Sequence, residues 1–143
     1  IIAWRDELNV AGVKIVGFSD DDIPWCGLFA AIVAFRRMKR AEEVVTGPLW
    51  ARNWTKYGTK ADKPSLGDIL VFERPGGAHV AFYVAEDATA YHVLGGNQGD
   101  KVSITRVAKS RILAARRPPY ATVPKAVRPY HVAASGTLSQ NEA

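Results

Sequence analysis

At Lys63 the apolar periodicity of this chain changes, and that change limits the architectures open to it. Before it, Ile1, Trp4 and Leu8 fall on one helical stripe, and Trp25-Cys26-Gly27-Leu28-Phe29-Ala30-Ala31-Ile32-Val33-Ala34-Phe35 is an almost unbroken apolar run. The stripe predicts a short amphipathic helix and the run a buried one. After it, segments 68–73, 79–85, 90–94, 101–107 and 112–116 show period two or short apolar runs, broken by Pro75-Gly76-Gly77, Glu86-Asp87 and Gly95-Gly96-Asn97-Gln98-Gly99-Asp100. These read as strands and turns. Helices first and strands afterwards predict an α+β domain, with N-terminal helices packed on a five- or six-stranded antiparallel sheet.

The second helix is expected to start at about Pro24, where a first turn tolerates proline, with Ser19, Asp20, Asp21 and Asp22 as candidate caps. Its far end carries Arg36, Arg37, Lys39 and Arg40, the sign that suits the negative pole of a helix dipole. A third helical segment opens at Gly47-Pro48 and runs through Tyr57, with Gly58 as a stop. Residues 1–118 form the expected domain. Residues 119–143, rich in proline and small polar residues and poor in periodicity, read as a C-terminal tail or linker.

A chain of 143 residues with 48% hydrophobic content is sufficient for one core. No apolar run is long enough to span a bilayer and the N-terminal stretch lacks the order of a secretory signal, so neither membrane insertion nor an export signal is expected in it. A monomer is expected. The net charge of +5 favours polyanionic partners, for which nucleic acid and an anionic cell wall both qualify. One cysteine excludes an intramolecular disulfide and a multi-thiolate zinc site. Three scattered histidines without a His-Glu-x-x-His arrangement predict no metal, and the glycine pairs lack the lysine of a phosphate loop.

Cys26 is therefore a core filler or a reactive group. At a helix start, unpaired N–H groups and the positive dipole end favour a thiolate and offer donors for a tetrahedral oxyanion. His79 follows the Pro75-Gly76-Gly77-Ala78 turn and opens a strand, a position suited to a base at a sheet end beside a loop. Asn97, at the end of the next strand, offers an amide that would accept the second imidazole N–H; Gln98 is an equally available amide and Asp68 a further carboxylate candidate. His92 and His131 have no comparable context. Trp25, Trp54 and Gly77 are candidate substrate contacts, although Trp50 and Trp54 stand one helical turn apart, the spacing of core aromatics.

In order along the chain, Trp25-Cys26, Pro64-Ser65-Leu66-Gly67-Asp68-Ile69-Leu70-Val71-Phe72, Gly77-Ala78-His79-Val80-Ala81-Phe82-Tyr83 and Val93-Leu94-Gly95-Gly96-Asn97-Gln98 resemble the CHAP family, close to the NlpC-type papain-like cell-wall hydrolases and especially their small phage and bacterial branch. The likeness covers roughly residues 22–118. It implies a papain-like fold and cleavage of amide bonds in bacterial peptidoglycan, in the periplasm or cell wall, by an N-acetylmuramoyl-L-alanine amidase or peptide endopeptidase without a cofactor. Cys26 matches the nucleophile and His79 the base. Many members carry an acid two positions before an asparagine on the next strand; here those positions are Gly95 and Asn97, so the resemblance leaves Asn97 as the orienting residue. The alternatives are a wall-binding module without catalysis and a nucleic-acid binder using Arg36, Arg37, Lys39 and Arg40.

Overall fold

The computed structural model describes residues 1–19 and 24–142. Two helices, α1 (Ile2–Val10) and α2 (Cys26–Met38), precede six strands: β1 (Thr59–Lys60), β2 (Ile69–Arg74), β3 (Gly77–Glu86), β4 (Ala90–Gly95), β5 (Ser103–Ala108) and β6 (Ile112–Arg117). They form one antiparallel sheet of order β1-β6-β2-β3-β4-β5. The α+β expectation holds, and the sixth strand is the two-residue β1, which is too short to leave a sequence pattern.

Helix α2 is buried around most of its circumference, which its apolar run requires. One side packs on β3 and another on α1, where Arg36 forks onto Glu7 at 2.8 and 3.1 Å. Small residues allow the close approach: a Cβ on Gly27 would stand 2.1 Å from the Pro48 carbonyl oxygen. The helix begins two residues later than expected, with Trp25 at the N-cap position and no side-chain cap. Of the candidate caps, Asp20, Asp21 and Asp22 lie outside the described residues. The C-cap, Lys39, takes a left-handed φ of 58° and hands its N–H to Phe35.

The third helical segment is a 3-10 helix over Ala51–Lys56. Its geometry is set from outside: Asn53 Nδ2 donates to the Gly47 carbonyl and Trp54 Nε1 to the Pro48 carbonyl, both at 2.9 Å.

Two cores occupy the two faces of the sheet. Ile69, Val71, Val80 and Phe82 face the helices; Leu70, Phe72, Ala81, Tyr83, Val93 and Val107 form a second cluster on the other face. The β2–β3 hairpin pairs Arg74 with Gly77 across Pro75-Gly76. Gly76 has φ 78°, the left-handed conformation that the position after a turn proline demands.

Beyond Arg117, the segment expected to be a tail or linker lies against the sheet. Tyr130 is held from both sides: its N–H donates to Tyr83 Oη at 3.1 Å and its carbonyl accepts from Glu86 N–H at 2.8 Å. Val132 N–H then bonds the Glu86 carbonyl, and Ser139 N–H the Arg106 carbonyl on β5, each at 2.8 Å. Glu142 ends the described chain, 1% exposed.

Candidate active site

Cys26 is the first residue of α2, which packs on β3. The backbone N–H of Val80 and the N–H groups of Gly27 and Cys26 at the helix start favour the thiol's anionic form. The Arg74 guanidinium acts in the same sense. Burial outweighs all of these, with Cys26 only 5% exposed, and pushes the thiol above its ordinary range. The expectation of a thiolate is thus corrected for this closed form: removal from water costs the anion more than the helix start returns.

His79 stands opposite Phe72 in the β2–β3 register, on the face that carries Ala81 and Tyr83. Its imidazole Nε2 lies 2.8 Å from Gln98 Oε1. The Gln98 amide nitrogen donates to the Ser103 carbonyl at 2.6 Å and more weakly to the Val93 carbonyl at 3.4 Å, which leaves Oε1 as the end facing the ring. An oxygen there accepts, so Nε2 carries the proton and Nδ1 is the bare nitrogen. Among the described residues Nδ1 has no hydrogen-bond partner, although it is fully buried. Burial, assisted by the charges of Arg74 and Arg111, holds His79 below its ordinary value against the opposing pull of Gln98 and Glu142.

The amide on His79 is therefore that of Gln98, and the expectation for Asn97 is corrected. Strand alternation stops at Gly95, and Asn97 adopts φ 61°, a conformation asparagine tolerates better than most residues. Its side chain turns away and Nδ2 donates to the Glu142 carbonyl at 3.4 Å. Gly95 makes room for the exchange: a Cβ there would meet Gln98 Oε1 at 2.5 Å. The space that a side chain at position 95 would need holds the Gln98 amide.

Cys26 and His79 approach β3 from opposite sides. The sulfur arrives on the helix side at the Val80 N–H, while the imidazole leaves on the other side one residue earlier. No hydrogen bond joins Sγ to Nδ1. Both side chains are closed to solvent, His79 at 0% exposure.

The remaining candidates separate cleanly. Asp68 is far along the β2–β3 ladder from His79, its backbone carbonyl accepting from Tyr83; its carboxylate takes the Arg117 fork at 2.9 and 3.1 Å and the Ser65 N–H at 2.8 Å. It closes the turn into β2. Trp54 is fully buried with its indole N–H on Pro48, so its expected substrate contact is corrected to a core role. Trp25 is buried against Trp4 and under Gly96, where a Cβ would come within 2.8 Å of the Trp25 ring. Gly77 has open space around it, with nothing within 4 Å of a Cβ position. His92 is tied to Asp87 at 2.7 Å, and Arg106 with two backbone N–H groups completes that carboxylate's shell, holding Asp87 far below the usual carboxylate range. His131 contributes a backbone bridge to Glu86.

Three groups near His79 were not singled out in the sequence: Arg74, Arg111 and Glu142. Arg74 donates to the Ala78 carbonyl at 3.3 Å beside His79. Arg111, in the 3-10 turn between β5 and β6, holds the Glu142 carboxylate with both terminal nitrogens. No periodicity or motif links residues this far apart in the chain.

Compared with known proteins, the chain matches no family model, no curated protein and no solved structure. Among the described residues no helix is long and apolar enough to cross a membrane, and no group of histidine, cysteine and carboxylate side chains is arranged to hold a metal ion. The basic end of α2 is engaged within the chain: Arg36 on Glu7, Arg37 on the Gly67 carbonyl, Arg40 on Glu42 and Glu43.

Proposed function

We propose that the chain is a papain-like cysteine hydrolase that cleaves amide bonds in bacterial cell-wall peptide, with Cys26 as nucleophile, His79 as base and Gln98 as the residue that orients His79. The observation that carries this reading is the fixed tautomer of a buried imidazole: Gln98 accepts the Nε2 hydrogen bond and leaves a bare, unpartnered Nδ1 one residue from Val80, whose backbone N–H acts on the only thiol in the chain. A histidine that merely filled a core would not need that arrangement, because an orphaned buried acceptor is costly.

In the closed form Sγ lies on the helix side of β3, where the Val80 N–H acts on it. Reaction requires a rearrangement at the start of β3 that brings Sγ and Nδ1 together from the two sides of the strand; Nδ1 then takes the thiol proton as sulfur attacks the scissile carbonyl. The N–H groups at the start of α2 then face the developing oxyanion. Imidazolium returns its proton to the leaving amine, the C–N bond breaks, and water deprotonated by Nδ1 releases the acyl group from sulfur. Gln98 accepts from Nε2 throughout and stabilises the imidazolium as a dipole rather than a full charge.

The full burial of Cys26 and His79 favours a second reading, a wall-binding module without catalysis. Digestion of purified peptidoglycan separates the two. The hydrolase reading expects new termini by mass spectrometry with the wild-type chain and none with Cys26→Ala or His79→Ala; freed muramyl groups would mark an amidase and cleaved cross-bridges an endopeptidase. Wall pull-down without new termini, equal in all three proteins, would establish the binding module instead.

A further inference from the structure

A carboxylate is buried beside His79 by a segment that has no regular secondary structure of its own. Glu142 is 1% exposed, and its oxygens meet Arg111 Nη1 at 3.1 Å, Arg111 Nη2, and Ser139 Oγ at 2.6 Å. Its backbone carbonyl accepts from Asn97 Nδ2, its neighbour Asn141 accepts from Arg74 Nη1 at 3.3 Å, and the Ser139 carbonyl accepts from Arg111 Nη1 at 3.1 Å. The receiving groups come from separate parts of the domain: the end of β2, the loop after β4 and the turn between β5 and β6. Together they grip an extended stretch by its main chain and by one acidic side chain, which is how a cleft holds a peptide.

The stretch also meets a guanidinium that acts on both candidate catalytic groups. Arg74, which reaches Asn141, is the guanidinium whose charge is felt by both Cys26 and His79. Arg74 and Arg111 also line an open groove of 440 Å³ with Glu73, Pro75, Gly76 and Ser110. Burying a carboxylate is unfavourable unless a partner is already in place, and the planar Arg111 fork supplies one.

We propose that residues 139–142 fill a peptide-binding cleft beside His79 and that Arg111 is its carboxylate-recognition residue, so that the ligand displacing them is an acidic peptide. This rests on the hydrolase reading for the identity of the site, and it adds the charge of the substrate and the reason why the His79 ring is shut from water.

The test is the rate at which diethyl pyrocarbonate labels the His79 ring in the full chain, read by mass spectrometry of the His79 peptide. Glu142→Gln and Glu142→Ala, checked for folding by circular dichroism, are expected to label at least ~10-fold faster than wild type at the same pH, since weakening one charge-assisted pair shifts the covered population by that order. Glu142→Gln keeps the volume and serves if the alanine variant unfolds. An acetylated, amidated Ser-Gln-Asn-Glu peptide should then slow labelling of the variant saturably. The same peptide with glutamine last should not, and Arg111→Ala in the variant should abolish the protection. Equal labelling of wild type and both Glu142 variants overturns the covering role, and protection indifferent to the acidic residue overturns Arg111. If labelling and protection follow expectation but no protein releases wall fragments, the cleft stands and the hydrolase reading falls; wall cleavage with equal labelling rates overturns this inference alone.

Discussion

His79 Nε2 and Gln98 Oε1 lie 2.8 Å apart, and this contact decides which nitrogen of the imidazole is available for chemistry. Because the Gln98 amide nitrogen is committed to Ser103 and Val93, the ring cannot flip its tautomer without breaking bonds on a second strand.

Gln98→Ala is expected to lower single-turnover wall cleavage by about 10- to 100-fold, the range of a neutral orienting group rather than of a triad carboxylate. Asn97→Ala should change it by less than about threefold, since Asn97 touches residue 142 and not the ring. Gln98→Glu places a charge beside Nε2 and should raise the His79 pKa, read by NMR titration of the ring. A Gln98→Ala enzyme with unchanged turnover and an unchanged ring titration removes Gln98 from the site.

Cys26 in the wild-type chain should alkylate more slowly than a small free thiol at pH 7.5, because burial holds it protonated above its ordinary value of 9.0. The rate should keep rising with pH past the point at which a free thiol levels off. Stopped alkylation with mass-spectrometric readout gives the profile; a plateau below pH 8 would contradict the closed, neutral thiol.

Acid should weaken the fold in two stages. His79 sits below its ordinary value of 6.5, so the unfolded chain takes up that proton first and stability falls as pH drops from 6.5 toward the folded value. Glu142 is also held below its ordinary 4.5, by Arg111, Ser139 and the nearby His79, so its contribution is present above 4.5 and is lost below it. A single proton contributes at most about 1.4 kcal/mol per pH unit. Urea midpoints at pH 7 and pH 5 should therefore diverge in wild type and converge in His79→Gln.

Asp68→Ala should cost about 2–3 kcal/mol by leaving Arg117 and the Ser65 N–H without their acceptor. Trp54→Phe should cost about 1–2 kcal/mol through the lost bond to Pro48. Both should leave the His79 ring titration where it is in wild type, because neither residue touches the imidazole or Gln98. A shifted titration in either would place that residue in the site.

The sequence pattern carried the α+β class, the apolar second helix and the boundaries of most strands within a residue or two, because burial on one face or on all faces leaves a period that can be read. It carried Cys26 and His79 as a pair of positions, one at a helix start and one after a glycine turn. The choice between Asn97 and Gln98 was not legible: it depends on a left-handed φ at Asn97 that breaks strand alternation, and on the space left by Gly95. Glu142 was further out of reach. Its burial depends on Arg111 and Ser139, and a stretch rich in small polar residues announces no such partner.

The anchoring of Tyr130 and Val132 on Tyr83 and Glu86 leaves only residues 133–138 between a fixed point and the bonds at Ser139. So short a tether makes docking of the following residues an intramolecular event, with an effective concentration on the order of millimolar. Contacts too weak to hold a free tetrapeptide at micromolar levels suffice to keep this one in place at any dilution of the protein. An outside peptide must reach that millimolar level, or gain contacts in the open groove that Arg111 lines, before it takes the position beside His79.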